Sequence, residues 1–586
     1  MRRVLQQLWA VGICLTFSSA TLAAIKEYHL NIDEQIIDLT GKPTKKITVN
    51  GQFPAPLLEF EEGDEAVIHV HNALKDRDTS LHWHGLLLPG LMDGVPGFNG
   101  FRGIKPHADF EYRFKIRQSG TYWYHAHSQG QEQDGLYGAL VIYPKNKKPI
   151  VSYEQVDRDY VVMLSDFHHS SSDQIMKNLK KSSEYYQNQR ETIKDVWHQL
   201  QQQGFKATWQ DRKMWNQMRM LKTDLSDVTD YTFLVNGKTL EQNWTAMFKP
   251  NEKVRLRFIN ASAMSFFDVR IPQLRMTVVS ADGQPVKPVQ IDEFRIGAAE
   301  TYDVIVEPQQ AHYQIQAESI DRSGFALASL QNELLPAPPQ IQVPTARPRS
   351  VLTMEDMGHH PMDVESDSSS MQHEMPNDDH AMSHNMMQHD VMSHEMQPSP
   401  QYKSSQQSPE GWANASTPMG LKALQYTDLK SLFPQSDLRQ PDREIVIHLG
   451  GNMERYIWTM NGKKFSEASP LTLKYGERVR LKFVNDSMMA HPMHLHGMFV
   501  QLENGQAMER LPNKHTLIVP PGKTVTALLT ADEVGEWAIH CHLLYHMTAG
   551  MMNKLVVAHT EVPMPSTLKT NENSTQEVKG EHHAHH

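Results

Sequence analysis

The chain has almost no cysteine: its 586 residues include only two, Cys14 and Cys541. Cys14 lies in an N-terminal segment that we expect to be removed, so the mature protein would hold one thiol and no internal disulfide. A single thiol in an exported protein needs a purpose, because disulfides form readily outside the cytoplasm. Binding a metal as thiolate is the simplest purpose, and a small buried apolar side chain is the alternative.

Long hydrophobic runs and an excess of basic charge are also missing. The one extended apolar run lies within residues 1–24, after Arg2 and Arg3 and before small residues that reach Ala24. It is too short to span a membrane and predicts a cleaved signal peptide, hence a periplasmic protein. The twin-arginine and general secretory routes both stay open. The formal net charge of −11 argues against nucleic acid as a partner.

Histidine and methionine are abundant instead, with 32 of each. Near the C-terminus, the segment HCHLLYHMTAGM contains Cys541, His546 and Met551. With one further histidine, these are the ligands of a blue-copper site. Neighbours on a strand point to opposite faces, so a copper-bound Cys541 would direct His540 and His542 toward metals on the other side. The spacing predicts an electron path through Cys541.

Three further histidine motifs occur earlier in the chain. A lone His-x-His in a strand is typical of a surface pair, since both side chains share one face. Four such motifs in order, with the lone cysteine inside the last, are not expected by chance. The earlier motifs are HWHG, HAH and HPMHLHG, which supply His82, His84, His125, His127, His491, His494 and His496.

These four motifs resemble the four copper motifs of multicopper oxidases. The resemblance is closest to the bacterial copper-resistance protein A family, in HWHGLLLPGLMDGVPG, GTYWYHAHS, a Met/His-rich segment and HCHLLYHMTAGM. It extends over nearly the whole mature chain. The resemblance implies a laccase-like enzyme with four copper ions per chain, one of type 1, one of type 2 and two of type 3.

The resemblance also implies which side chains hold each ion. An axial methionine at the type 1 copper would give a lower reduction potential than the strongest laccases have. The implied ligands are His491, Cys541 and His546 with axial Met551 for type 1, His82 and His494 for type 2, His84, His125 and His542 for one type 3 ion, and His127, His496 and His540 for the other.

Two positions bear on proton supply. Asp93 in LMDGVPG matches the acidic residue that the family places near its trinuclear site, which implies a proton donor or an organiser of the ligands. The alternative is a turn-forming aspartate before Gly94. Met547 stands where laccase members carry an acidic residue just after the type 1 histidine, so the chain departs from the pattern there.

An internal repeat predicts three similar β-domains. The segment 62–72 recurs at 250–260 and at 475–485, and an Asn-Gly turn precedes each copy, at positions 50, 236 and 461. The resemblance identifies these domains as cupredoxin-like Greek keys, so the expected fold is all-β. The middle copy has no His-x-His and would be structural.

The domain organisation follows from the repeats and from two insertions. Residues 171–220 have helical composition and are predicted to form helices packed on the second domain. We expect a signal peptide at 1–24, cupredoxin domain 1 at 25–148, domain 2 at 149–346 with its helical insertion, a Met/His-rich flexible linker at 347–420, domain 3 at 421–562 and a tail at 563–586.

The Met/His-rich segment from Val351 to Pro398 has ten Met, seven His, ten acidic residues and no Lys or Arg. It cannot bury enough apolar area to fold alone. Thioether and imidazole suit Cu(I), so it is either a Cu(I)-capture segment or an inert linker. The candidate ligands are Met371, His373, Met375, Met382, His384, Met386, Met392, His394 and Met396. The tail histidines 582, 583, 585 and 586 are either metal ligands or a cloning remnant.

The resulting function hypothesis is a periplasmic multicopper oxidase. It would couple one-electron oxidation of Cu(I), and of phenols, to four-electron reduction of O₂ to water, and so give copper tolerance. One alternative is a copper-sequestering protein with incidental oxidase activity, and another is a laccase acting mainly on organic phenols. The expected partners are O₂, Cu(I) and an outer-membrane or periplasmic copper-resistance protein, and the expected state is a monomer that does not span the membrane.

Overall fold

The computed structural model describes residues 24–186, 193–218, 226–336, 341–347 and 417–559. Within these ranges the chain forms thirty strands and three α-helices. The strands make six sheets, and each of the three predicted repeats contributes two of them. The prediction of an all-β fold is therefore confirmed.

The first sandwich pairs two four-stranded sheets. Their strand orders are β2-β1-β4-β6 and β3-β8-β7-β5. The strands are β1 (Ile25–Ile37), β2 (Thr44–Val49), β3 (Ala55–Glu61), β4 (Glu65–Asn72), β5 (His82–His84), β6 (Asp109–Lys115), β7 (Gly120–His125) and β8 (Tyr137–Tyr143).

The second sandwich has sheets of six and five strands. Their orders are β10-β9-β12-β17-β14-β15 and β11-β19-β18-β13-β16. The strands are β9 (Arg158–Phe167), β10 (Thr232–Val235), β11 (Trp244–Phe248), β12 (Val254–Asn260), β13 (Phe267–Arg270), β14 (Met276–Ala281), β15 (Gln284–Ile291), β16 (Glu293–Ile296), β17 (Thr301–Val306), β18 (His312–Ser319) and β19 (Phe325–Asn332).

The third sandwich repeats this arrangement, in the orders β21-β20-β23-β28-β25-β26 and β22-β30-β29-β24-β27. The strands are β20 (Arg443–Asn452), β21 (Ile457–Met460), β22 (Leu471–Lys474), β23 (Arg478–Asn485), β24 (His491–Leu495), β25 (Val500–Leu502), β26 (Asn513–Lys514), β27 (Thr516–Val519), β28 (Thr524–Thr530), β29 (Gly535–Cys541) and β30 (Met552–Ala558).

The internal repeat seen in the sequence corresponds to one local structure formed three times. The repeated segments become β4, β12 and β23, and each lies parallel to the first strand of its sandwich. The Asn-Gly pairs before them have positive φ at both residues, as a tight two-residue hairpin turn requires. These strands and turns confirm the prediction from the repeat.

Helices occur where the sequence predicts the insertion, as α1 (Ser172–Lys181) and α2 (Ile193–Met218), the latter interrupted at Gly204. The Ser171 side chain accepts a hydrogen bond from the backbone N–H of Gln174 and so caps α1. Ile175 and Leu179 of α1 are buried in a core cluster that combines side chains of the second sandwich, among them Met264 and Phe266, with side chains of the third. That the insertion packs on the second domain stays a prediction.

The remaining helix, α3 (Leu544–Thr548), follows β29 directly. None of the helices in the described ranges is long and apolar enough to cross a membrane. The signal peptide, the Met/His-rich segment and the histidine tail lie outside the described residues.

Candidate metal centre

Strand pairing brings the histidine motifs of each sandwich together. In the first sandwich β5 and β7 are antiparallel, with His82 opposite His125. In the third, β24 and β29 are antiparallel, with His494 opposite His540. Side chains opposite one another on a sheet face are close enough to share a ligand. Each sandwich therefore presents a paired set of imidazoles.

The two sets meet across the boundary between the first and third sandwiches. The rings of His82 and His496 stack with their centroids 3.8 Å apart, and those of His84 and His494 stack at 3.7 Å. Nε2 of His127 lies 3.4 Å from Nε2 of His540. Eight histidines thus form one shared cluster: His82, His84, His125, His127, His494, His496, His540 and His542.

The free ring nitrogens of this cluster fit metal ligands. Nε2 of His82, His125 and His494 and both ring nitrogens of His542 are buried without a hydrogen-bond partner. Buried polar atoms in native proteins are nearly always paired, so several unpartnered nitrogens converging in one place fit a metal-binding role. Copper is a suitable ion for this place, because imidazole nitrogen is one of the ligands that it binds readily.

The opposite ring nitrogens are held by the protein. Such bonds fix the tautomer and turn the second nitrogen toward a metal. Nδ1 of His82 lies 2.9 Å from the carbonyl oxygen of Asp93, and Nδ1 of His125 lies 2.7 Å from the Glu132 carboxylate. Nδ1 of His494 lies 2.8 Å from the carbonyl oxygen of His515.

Burial also sets the charge of these imidazoles. It lowers the pKa of His540 to about 4, and lowers the pKa of His84, His125 and His494 well below the usual range. Neighbouring histidines lower the pKa of His84 further. The rings are therefore neutral near pH 7, which is the form that binds metal.

A second cluster combines cysteine with two histidines. Sγ of Cys541 lies 3.5 Å from Nδ1 of His491 and 3.7 Å from Nδ1 of His546, and the two Nδ1 atoms are 3.2 Å apart. Met551 is fully buried beside them, and its carbonyl accepts a hydrogen bond from the Cys541 N–H at 3.0 Å. Burial raises the pKa of the Cys541 thiol, so a thiolate there requires a bound cation.

The strand alternation around Cys541 agrees with the predicted geometry. Cys541 faces the Cys–His cluster, while Nε2 of His540 lies 3.1 Å from Nε2 of His496 in the eight-histidine cluster. The ring of His542 lies 4.9 Å from that of His84. Three consecutive residues therefore join the two clusters through one short stretch of backbone.

Asp93 lies in a turn and also contacts one of the candidate metal ligands. It ends a 3-10 turn, and Gly94 follows with φ of 75°. A Cβ on Gly94 would meet the Leu81 carbonyl at 1.8 Å, so only glycine fits there. The buried carboxylate of Asp93 accepts a hydrogen bond from Nδ1 of His496 at 2.9 Å. This aspartate of the first sandwich thus orients a histidine of the third.

The residues that support the Cys–His cluster were not identified from the sequence. Nε2 of His546 lies 2.9 Å from Oδ2 of Asp227, and Nε2 of His491 lies 2.7 Å from Oγ of Ser487. Trp458 stacks on the His546 ring at 3.9 Å. Asp227 follows the helical insertion in a stretch without a motif, so no local signal points to it.

Two further buried groups next to the eight-histidine cluster were also missed. Glu132, which burial gives a raised pKa, is the carboxylate that holds His125. His515 is buried within reach of His84 and His494. Met547 stands where laccase members carry an acidic residue, and it packs against apolar side chains. This position therefore supplies no carboxylate.

Models of the multicopper oxidase family match residues 31–147, 158–333 and 438–561 of this chain. A copper resistance protein A homolog of Pseudomonas syringae pv. tomato is 46% identical, over 91% of this chain and 92% of that protein. Copper resistance protein A of Escherichia coli is 44% identical, over 94% and 96%.

Solved structures share the fold at lower identity. The multicopper oxidase Fet3p, described as functioning in iron import, superposes with a TM-score of 0.63 at 18% identity, over 91% of this chain and 90% of that one. A laccase from Botrytis aclada gives 0.60 at 20% identity, over 91% and 88%. From its motifs, its fold and these relatives, the chain belongs to the multicopper oxidases, within their copper resistance protein A family.

Proposed function

We propose that the two clusters hold four copper ions. The type 1 ligands are His491, Cys541 and His546, with Met551 axial. The eight remaining histidines hold the type 2 ion, through His82 and His494, and the two type 3 ions. The support is the set of unpartnered buried nitrogens and the mixed thiol–imidazole cluster beside it. Copper bound there supplies one-electron oxidation of a donor and four-electron reduction of O₂ to water.

The protein groups then have distinct tasks. Cys541 lies between His546, where a substrate would give up its electron, and the eight-histidine cluster. His540 and His542 connect Cys541 to that cluster. Asp93 fixes the His496 ring through its carboxylate and would be the group that supplies protons at the eight-histidine cluster. Asp227 fixes His546, whose outer edge is the place where an electron from a substrate would arrive.

We further propose that the physiological donor is Cu(I), with phenols as secondary substrates. The observation that carries this is the cover over His546: neither His546 nor Asp227 has exposed surface, and the carboxylate lies on the outer ring nitrogen. A carboxylate at this position favours a cationic donor over a neutral one. The relatives at 44–46% identity are named for copper resistance, which fits a copper substrate.

A side-by-side turnover assay tests this proposal. Oxygen consumption by the copper-loaded mature chain would be followed with an acetonitrile-stabilised Cu(I) salt and with a dimethoxyphenol. We expect higher kcat/KM for Cu(I) and about four Cu(I) ions consumed per O₂. Cys541→Ser is the control for uncatalysed Cu(I) oxidation. A higher kcat/KM for the phenol would favour the laccase alternative instead.

We also propose that the chain is exported to the periplasm through residues 1–24, acts there as a monomer and exchanges copper with an outer-membrane or periplasmic resistance protein. Cell fractionation and N-terminal sequencing test the export. A periplasmic species that begins near Ile25 is expected, and a full-length cytoplasmic product would contradict it.

A further inference from the structure

The outer face of the β2-β1-β4-β6 sheet carries an unusual pair of histidines. His29 on β1 lies directly opposite His69 on β4, and His69 lies opposite Glu111 on β6. The two imidazole rings stack with their centroids 4.7 Å apart and their planes within 12°. Both side chains reach solvent, with 74% and 36% of their surface exposed.

One carboxylate oxygen lies close to the Nε2 atoms of both rings. Oε1 of Glu27 is 3.2 Å from Nε2 of His29 and 3.0 Å from Nε2 of His69. Two ligand atoms that each lie about 2.0–2.1 Å from one ion are about 2.9–3.3 Å apart in square-planar or tetrahedral geometry. Each imidazole nitrogen therefore already lies at the distance from Oε1 that two ligands of a single ion would have.

Glu111 lies behind His69, which is one of the candidate metal ligands. Oε2 of Glu111 lies 3.6 Å from Nδ1 of His69, on the side of the ring away from Glu27. Its other oxygen accepts a hydrogen bond from Arg113 at 2.8 Å, which keeps Glu111 in place. A carboxylate behind a metal-bound imidazole orients the ring and strengthens it as a ligand.

The other two sandwiches show what this position does elsewhere in the fold. Glu27, Asp159 and Glu444 occupy equivalent places on β1, β9 and β20, as the strand registers show. Asp159 pairs with Arg257 at 2.7 Å. Glu444 pairs with Lys482 at 3.6 Å. An acid–base pair across these two strands is thus a structural feature of all three repeats.

The first repeat differs from the other two in a way that an ion pair does not explain. The residue equivalent to Arg257 and Lys482 is His69, an imidazole that is able to bind a metal. The residue opposite it is His29, where the other repeats have Val161 and Val446. A pair with Glu27 needs one cation, and a second imidazole aimed at the same oxygen is superfluous for it.

We propose that His29, His69 and Glu27 form a surface binding site for Cu(II), with Glu111 orienting His69. Imidazole and carboxylate are the ligands that divalent late transition metals prefer, and Cu(II) binds such a set most tightly of the first-row ions. The ligand set lacks the thiol and thioether of the Cys541 cluster, so it selects the oxidised ion. The site lies on the solvent face of the first sandwich and is separate from the buried clusters.

A Cu(II) titration of the copper-loaded mature chain tests the site. Free Cu(II) would be buffered with glycine, and bound Cu(II) counted by its EPR signal above that of the resident copper. His29→Val and His69→Lys each install the residue that the third repeat carries, so both should fold. We expect the parent to bind one more equivalent than either variant, or to bind that equivalent at least about tenfold more tightly.

The matched control is His448→Ala in the third sandwich. His448 is also an exposed histidine on the first strand of its sandwich, and its Nδ1 lies 2.8 Å from Asp486, but the residue opposite it on β23 is Val484 and not a second histidine. Its loss should leave Cu(II) binding unchanged. Equal binding by the parent, His29→Val and His69→Lys would overturn the proposal and leave His69 as an ion-pair residue. Since binding is measured directly, the outcome is independent of whether Cu(I) is the donor.

Discussion

Asp227 accepts a hydrogen bond from Nε2 of His546 at 2.9 Å, and neither residue has exposed surface. The bond leaves Nδ1 of His546 facing Cys541, 3.7 Å away. Tyr456 donates its hydroxyl to the same Asp227 oxygen at 2.7 Å, which holds the carboxylate in place. A residue that follows the helical insertion therefore orients a ligand in the third sandwich.

Asp227→Asn should lower kcat/KM for Cu(I) about tenfold while the blue colour remains. The amide keeps the size of the side chain but removes the charge that favours a cationic donor. Phenol oxidation should change less, because a neutral donor gains little from that charge. The nearby exposed Asp230→Asn is the control. An equal loss for both substrates would mean that Asp227 only positions His546.

Cys541→Ser should abolish both the blue colour and all oxidase turnover. The strong visible band of a blue-copper site arises from charge transfer between thiolate and Cu(II), and a hydroxyl cannot replace the thiolate. The eight-histidine cluster should still bind copper, since none of its members is changed. Visible absorption and copper content per chain are the measurements, and a parent protein that stays colourless with full copper would refute the type 1 assignment.

Asp93→Asn should slow reoxidation of the reduced enzyme by O₂ more than it slows reduction by substrate. The carboxylate holds His496 at 2.9 Å, and an amide neither carries a proton nor accepts this bond as strongly. Stopped-flow bleaching and recovery of the blue colour separate the two half-reactions. Recovery at the parent rate would reduce Asp93 to the turn residue that precedes Gly94.

The parts of the site that the sequence predicted are those encoded locally. A His-x-His on a strand, a Cys between two histidines and an Asn-Gly before a repeated strand each combine residues that are near in sequence. The supports were not predictable in this way. Asp227 and His546 are 319 residues apart, and Glu132 reaches His125 only through the loop that follows β7. The Asp227 contact depends on how the second and third sandwiches pack, and the Glu132 contact depends on the path of that loop. No local sequence pattern records either one.

The same limit applies to the surface on which helix α1 docks. Its composition predicts a helix, and its apolar spacing predicts one buried face, but neither names the surface that it covers. In the structure Ile175 and Leu179 join a core cluster that contains side chains of both the second and the third sandwich. Helical propensity is local information, whereas the docking partner is not.

Lys514→Met should destabilise the protein by about 3–5 kcal/mol. Lys514 is fully buried and forms ion pairs with Asp282 at 3.1 Å and Glu300 at 3.0 Å, between the second and third sandwiches. Burial alone would lower the pKa of Lys514, but the two carboxylates raise it, so the group stays charged. Its removal leaves two buried charges unpaired. Lys422→Met, in the more exposed pair with Asp428, should cost less than about 1 kcal/mol.

The stability that Lys514 contributes depends on pH through the shifted pKa values of Lys514 and Asp282. The raised pKa of Lys514 keeps its stabilisation complete below the pKa of an unfolded lysine. Burial alone would raise the pKa of Asp282, but Lys514 and His515 lower it, so its stabilisation is lost only as the pH falls below that of an unfolded aspartate. Denaturant titrations of parent and Lys514→Met should therefore differ by a constant amount near neutral pH, and the difference should shrink in acid.

Deletion of residues 354–396 should leave a folded, blue enzyme. The segment is too polar to add to a core, and loop-closure entropy varies slowly with length. The chain ends that flank it already meet, because Arg347 and Thr417 both bond to the carboxylate of Glu293, at 2.6 and 2.9 Å. The shortened link therefore has little distance to cover, and the thermal midpoint should stay within a few degrees of the parent.

The same deletion should lower Cu(I) oxidation at low copper while phenol oxidation survives or rises. Thioethers and imidazoles gather Cu(I), whereas the acidic residues of the segment are hard donors suited to other ions. A length-matched variant separates capture from tethering: Met→Leu at 371, 375, 382, 386, 392 and 396 removes the thioethers and keeps the linker. The measurement is the ratio of Cu(I) to phenol turnover at limiting copper. If both variants keep the parent ratio, the segment is a linker; if only the deletion lowers it, the thioethers are not the groups that feed the site.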